Sequence, residues 1–84
     1  MGFFVPVVFT HQDKGTAQRA FVELRQQYPK LLQHRQSELQ PVDVGKKGLW
    51  YRLVVLPPAS RQQATETCSR LAAAGYDRCW VKTY

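Results

Sequence analysis

The run Gly48-Leu49-Trp50-Tyr51-Arg52-Leu53-Val54-Val55-Leu56-Pro57-Pro58 constrains this chain more than any other stretch. It opens at a glycine, closes at a proline pair, and is filled with β-formers, Trp50, Tyr51, Val54 and Val55 foremost. A strand sends alternate side chains to opposite faces. Tyr51, Leu53 and Val55 therefore share one face, and Trp50, Arg52, Val54 and Leu56 the other. The first face has no charge and suits a core. The second sets an indole beside a guanidinium, an unusual pairing for a buried surface. The run is read as a central strand with one face on helices and the other offered to a ligand.

The rest of the chain supplies partners for that strand. Phe3 to Phe9 reads as a first strand, with Val5, Val7 and Phe9 on one side; Pro6 removes a backbone donor and marks an edge position or a bulge. Asp13 is an N-cap candidate for a helix whose apolar stripe is Ala17, Ala20, Phe21, Leu24 and Tyr28, stopped by Pro29. Leu31 and Leu32 are expected to fold back on the core. Gln33 to Gln40 reads as a polar connection and Pro41 to Val44 as a short strand. Gly45-Lys46-Lys47-Gly48 forms a hairpin turn. Ser60 and Gln63 fit a capping box opening a second helix, with Ala64, Cys68, Leu71 and Ala72 on its stripe and Gly75 at its C-terminal cap. Arg78 to Thr83 closes the chain as a strand carrying Trp80 and Lys82 on one face, with Tyr84 following on the same side. The order β-α-β-β-α-β predicts an α+β fold of the RNP-like or ferredoxin-like kind: a four-stranded antiparallel sheet with two helices on one face.

Parity then gathers Trp50, Arg52 and Val54, Trp80, Lys82 and Tyr84, and Val5, Val7 and Phe9 on the face left bare. Rings mixed with cations on an open sheet suit flat or ring-shaped ligands. Eighty-four residues allow one domain. The net charge of +6 favours a polyanionic partner, although the basic residues are spread along the chain and serve solubility equally well. No apolar run reaches the length of a membrane span, and no signal peptide is visible. Met1-Gly2 followed at once by a strand reads as the start of an excised domain. The chemistry of catalysis is missing from the pattern. His11 and His34 stand alone in expected loops, Asp43 and Asp77 read as strand-edge and turn residues, and no nucleophile triad, zinc-protease motif or phosphate loop occurs. No catalytic residue, metal or cofactor is expected, and the chain is not read as an enzyme. Cys68 and Cys79, eleven residues apart, have neither redox nor zinc spacing. The residues alone leave free buried thiols and a disulfide equally open.

In its order and spacing the chain resembles the SPOR (sporulation-related) domain family from about Phe3 to Val81. Tyr51-Arg52-Leu53-Val54-Val55 followed by Pro58 is similar to the family's Tyr-Arg-Val-x-Val-Gly-Pro strand. Ser60-Arg61, Ala64 and Cys68-x-Arg70-Leu71-x-Ala73-x-Gly75 resemble its second helix, and Ala17, Ala20, Phe21 and Leu24 its first. The pair Cys68 and Cys79 resembles a subset of the family with a cysteine in that helix and another opening the last strand. The resemblance implies the fold just derived and a periplasmic or cell-envelope module that binds peptidoglycan glycan strands stripped of stem peptides, as at the division septum. It implies a sheet-face site, which here would draw on Val5, Val7, Trp50, Arg52, Trp80 and Lys82. It also implies that residues 1–84 are the C-terminal part of a larger, membrane-anchored protein, with divisome or other envelope proteins as further partners. The sequence departs from the family's first strand, with Val7 in place of Gln and Phe9 in place of Gly. After the central strand it has Leu56-Pro57-Pro58-Ala59 in place of Gly-Pro-Phe.

Two other readings fit the same scaffold. One is a protein-interaction or dimerisation domain using the apolar sheet face, supported by Val7, Phe9 and Pro57. The other is an RNA-recognition-motif-like binder, since Lys47-Gly48-Leu49-Trp50-Tyr51-Arg52-Leu53 loosely follows the stacking strand of that fold. Trp50 in place of the small second glycine counts against it, and no nucleic acid is expected as partner.

Overall fold

The computed structural model describes residues 2–84. Four strands form one antiparallel sheet in the order β2-β3-β1-β4. They are β1 (Phe4–His11), β2 (Gln36–Asp43), β3 (Leu49–Leu56) and β4 (Trp80–Thr83). Three helices accompany them: α1 (Lys14–Gln27), the single turn α2 (Pro29–Leu32) and α3 (Arg61–Ala73). The fold is the α+β arrangement expected, with the Gly48–Pro58 run at its centre as β3.

Local chemistry sets the helix ends. Asp13 caps α1 by accepting from the Thr16 backbone N–H at 2.8 Å. Ser60 and Gln63 form the reciprocal capping box at the start of α3. Gly75 follows α3 with φ +110°, a left-handed conformation open to glycine at little cost. Pro29 ends α1 as expected and then opens α2, which returns Leu32 to full burial.

One side of the sheet meets the helices. Val8, Phe21, Leu24, Leu32, Leu53, Val55 and Leu71 form that core, joined at its margin by Phe9, Leu39 and Tyr76. The structure links Cys68 of α3 to Cys79, just before β4, in a disulfide with Cα atoms 5.1 Å apart. In a loop-entropy account, closing a loop of this length contributes about 3 kcal/mol.

Several boundaries differ from the sequence reading. β2 begins at Gln36, five residues before the expected Pro41, and stops at Asp43, leaving Val44 exposed outside it. Its polar residues Gln36, Glu38 and Gln40 alternate with Ser37, Leu39 and Pro41, and of these six Leu39 packs on the core. β1 runs on to His11, and β4 starts at Trp80 rather than Arg78. Ala72 is exposed, so the α3 stripe narrows to Ala64, Cys68 and Leu71. β1 is an inner strand, paired with both β3 and β4. The Pro6 signal therefore marks a bulge, not an edge.

That bulge changes one facing assignment. Val7 pairs with Val54 and Phe9 with Leu53, so Val8 is an extra residue on β1. Downstream parity flips, and Phe9 packs on the helix side, not on the open face where simple alternation put it. The Tyr76 hydroxyl donates to the Val8 carbonyl, satisfying the group that the bulge frees. Burial holds the Tyr76 hydroxyl pKa above its ordinary value, consistent with its role as a donor. Tyr76→Phe keeps the ring but orphans that carbonyl. It is expected to lower stability by about 1–2 kcal/mol, read as a lower urea midpoint with an unchanged slope.

Candidate functional site

The face away from the helices is built from alternate residues of all four strands. β3 gives Trp50, Arg52, Val54 and Leu56. In register with them, β2 gives Val42, Gln40, Glu38 and Gln36. On the other side β1 gives Val5 and Val7, opposite Lys82 and Trp80 of β4. The structure thus brings all six sequence-predicted residues onto one face, and Tyr51, Leu53 and Val55 onto the other.

The face is not bare. Val5, Val7 and Val54 form a second apolar cluster with 0% exposure, bordered by Leu56. Polar side chains of the two outer strands meet above the inner ones. Lys82 on β4 donates to Gln40 Oε1 on β2 at 3.0 Å. Gln40 Nε2 donates to Glu38 Oε2 at 3.1 Å, and the Tyr84 hydroxyl donates to Glu38 Oε1 at 2.8 Å. Because β3 and β1 lie between β2 and β4, these bonds form a strap across the sheet. Val5 and Val7 are its floor, and neither presents surface to a ligand.

What reaches solvent is a corner of rings and cations. Trp80 is 44% exposed, and the Arg52 guanidinium lies 5.1 Å from its ring centroid. Thr10, paired with Arg52, is exposed beside them. Trp50 lies further along the same face, half-buried against Val42, and its indole N–H is buried without an acceptor among the described residues. At the opposite end Tyr84 borders a cleft of about 480 Å³ lined also by His34, Gln36, Leu56, Pro57 and Pro58. The corner and the strap together offer a stacking surface, two cations, a carboxylate, an amide and a phenol. These groups suit a ligand with apolar faces and many hydroxyls. Among the described residues no three His, Cys, Asp or Glu side chains stand close enough to hold a metal ion.

Sequence reasoning missed Glu38 and Gln40, because their segment read as a connection. The signal available was the lone Leu39 between them, one apolar residue at strand period within a polar run.

With this geometry in view, the chain belongs to the SPOR domain family, whose model matches residues 12–83. It is also similar to the solution structure of the peptidoglycan binding domain of the B. subtilis cell wall lytic enzyme CwlC. The TM-score is 0.62 at 16% identity, covering 100% of this chain and 91% of that one. At that identity the likeness speaks to the fold alone. No match is found among curated proteins.

The strap carries a pH dependence. Hydrogen bonds from Gln40 and Tyr84 hold the Glu38 carboxyl below its ordinary value of 4.5, and Lys82 adds to the effect. A carboxyl lowered in the folded state stabilises the closed strap above 4.5 and loses that contribution as pH falls through the lowered value. Tyr84 ring resonances are expected to move in an acid titration below pH 4.5. In Glu38→Gln that movement should be absent, and an unchanged titration in the variant would contradict the assignment.

Proposed function

We propose that this domain binds the glycan strands of peptidoglycan through the open sheet face, without catalysing a reaction. The observation that carries the reading is the exposed Trp80 indole, cornered by Arg52 and continuous with the strap of Lys82, Gln40, Glu38 and Tyr84. Family membership and the likeness to a peptidoglycan binding domain support it. A sugar ring presents an apolar C–H face, which stacks on an indole, and a rim of hydroxyls, which bond to amide, carboxylate and cation. Strands stripped of stem peptides also carry lactyl carboxylates, and the chain's net charge of +6 suits them.

Binding here exchanges one set of hydrogen bonds for another. Sugar hydroxyls take over Lys82, Gln40 and Glu38 from their cross-sheet partners, while the valine floor stays dry beneath. Trp50, Arg52, Trp80 and Lys82 would then touch the ligand, and Val5 and Val7 would support them from below. Purified sacculi should retain the domain more strongly after amidase digestion than before it. Trp80→Ala should weaken retention by at least about tenfold, the scale of one lost stacking contact. Equal retention on treated and untreated sacculi would remove the preference for stripped strands.

The proposal extends to place. A cell-envelope module of this kind, with Cys68 and Cys79 oxidised, belongs in an oxidising compartment such as the periplasm. It would bring a larger, membrane-anchored parent to the division septum, beside divisome proteins. A fluorescent fusion exported to the periplasm should concentrate at constriction sites, and Trp80→Ala should spread it around the cell outline. An even outline signal from the unaltered domain would count against septal targeting.

A further inference from the structure

Arg35 lies outside the sheet-face site, in the turn that leads from α2 into β2. It is half-buried on the helix side of the sheet's end. Its Nε donates to the Leu56 carbonyl at 2.8 Å, and its Nη1 reaches the Thr67 hydroxyl at 3.5 Å. These contacts leave other guanidinium N–H groups of its five without a protein acceptor. No carboxylate lies within ion-pair distance of it, since the one ion pair among the described residues joins Arg70 to Glu66. A cleft of about 240 Å³ opens onto this guanidinium, walled on one side by Phe4, Pro6, Pro57 and Ala59 and on its helical side by Gln63, Ala64 and Thr67. A second cation, Arg61, stands 4.7 Å from the centroid of the Phe4 ring.

We infer that this cleft is a second binding site, for a carboxylate carried on a small apolar body. A desolvated guanidinium without an acidic partner favours an anion, and its planar fork matches a carboxylate better than a rounder ion. Burial also holds the Arg35 pKa below its ordinary value, the direction expected for a cation lacking a counter-charge. The apolar side, Phe4, Pro6, Pro57 and Ala59, suits a methyl-sized group, and Gln63 and Thr67 stand beside Arg35 on the polar side where the carboxylate would lie. A lactyl ether and a terminal alanine both present that chemistry. The site stands apart from the sheet-face reading, and only the choice of probes leans on it.

The test is an amide NMR titration of the 84-residue chain with four probes: N-acetylmuramic acid, N-acetyl-D-alanine, N-acetylglucosamine and inorganic phosphate. Either carboxylate should shift the amides of Phe4, Ala59 and Thr67, and the stronger of the two identifies the source. N-acetylglucosamine, which lacks the carboxylate, should leave them in place. Arg35→Gln should weaken carboxylate binding by about tenfold, the loss of a charge-assisted contact. Because Arg35 also holds the Leu56 carbonyl, Ala59→Leu serves as a second variant that fills the cleft and leaves that bond intact, with the same loss expected. Silence of these amides toward both carboxylates, an equal response to phosphate, or undiminished binding by folded Ala59→Leu would overturn the site. Sacculus retention is read separately with Trp80→Ala, which leaves the Arg35 cleft unaltered, and the amide shifts with Arg35→Gln and Ala59→Leu, which leave Trp80 unaltered, so the two readings fail separately.

Discussion

The ladder break at Val8 decides what the open face of this sheet contains. Up to Val7 the first strand sends its odd residues outward, and after the break it sends them inward. Phe9 therefore joins the core, and Thr10 takes the place beside Arg52. A freed carbonyl in the middle of a sheet is costly unless something donates to it. The Tyr76 hydroxyl does so from the turn after α3, a contact spanning 68 positions in sequence. That one bond ties the bulge to the segment that leads into β4. The strand bearing Trp80 and the strand bearing the floor are thus positioned by the same local solution.

Two-sided burial of the inner strands follows. Val54, Val5 and Val7 lie where no helix covers them, yet they are as dry as the helix-side core. Removing a valine side chain from water is worth about 1.5–3 kcal/mol, a large fraction of a small domain's stability. The cover is polar: Lys82 reaches across the inner strands to Gln40, and the Tyr84 hydroxyl is bonded to Glu38. A polar lid over an apolar floor gives the open face hydrogen-bonding groups that Val7 does not supply. Its amide comes from Gln40 on the β2 edge, with β3 between it and Val7.

Much of this was legible in residues, and the losses have physical causes. The central strand announced itself through β-branched and aromatic density between Gly48 and Pro58, and both helix caps through side chains that bond locally. Parity alone placed Trp50, Arg52, Trp80 and Lys82 on one face, because a period of two needs no long-range information. What failed was non-local. A bulge shifts parity by one and leaves only Pro6 as a hint, so Phe9 went to the wrong side. A strand at the sheet's edge with one polar face looks like a loop, so Glu38 and Gln40 were lost until pairing with β3 revealed them. The strap was beyond reach, since nothing in a linear pattern says that outer strands curl close enough to touch.

The position of the disulfide bears on why the candidate site can sit on the weakest element. β4 has four residues and pairs only with β1, so by itself it would fray readily. It nevertheless carries Trp80 and Lys82, the groups that define the corner and the strap. Cys79 directly precedes Trp80 and is tied to Cys68 in the body of α3. At its other end the Tyr84 backbone N–H donates to the Phe3 carbonyl at 2.8 Å, and the Tyr84 side chain is held by Glu38. A short edge strand clamped at both ends is held in register while its outward face stays open. The bridge therefore acts on the geometry of the open face as much as on the core, and reduction would loosen the ring-and-cation corner before it unpacked the valines beneath.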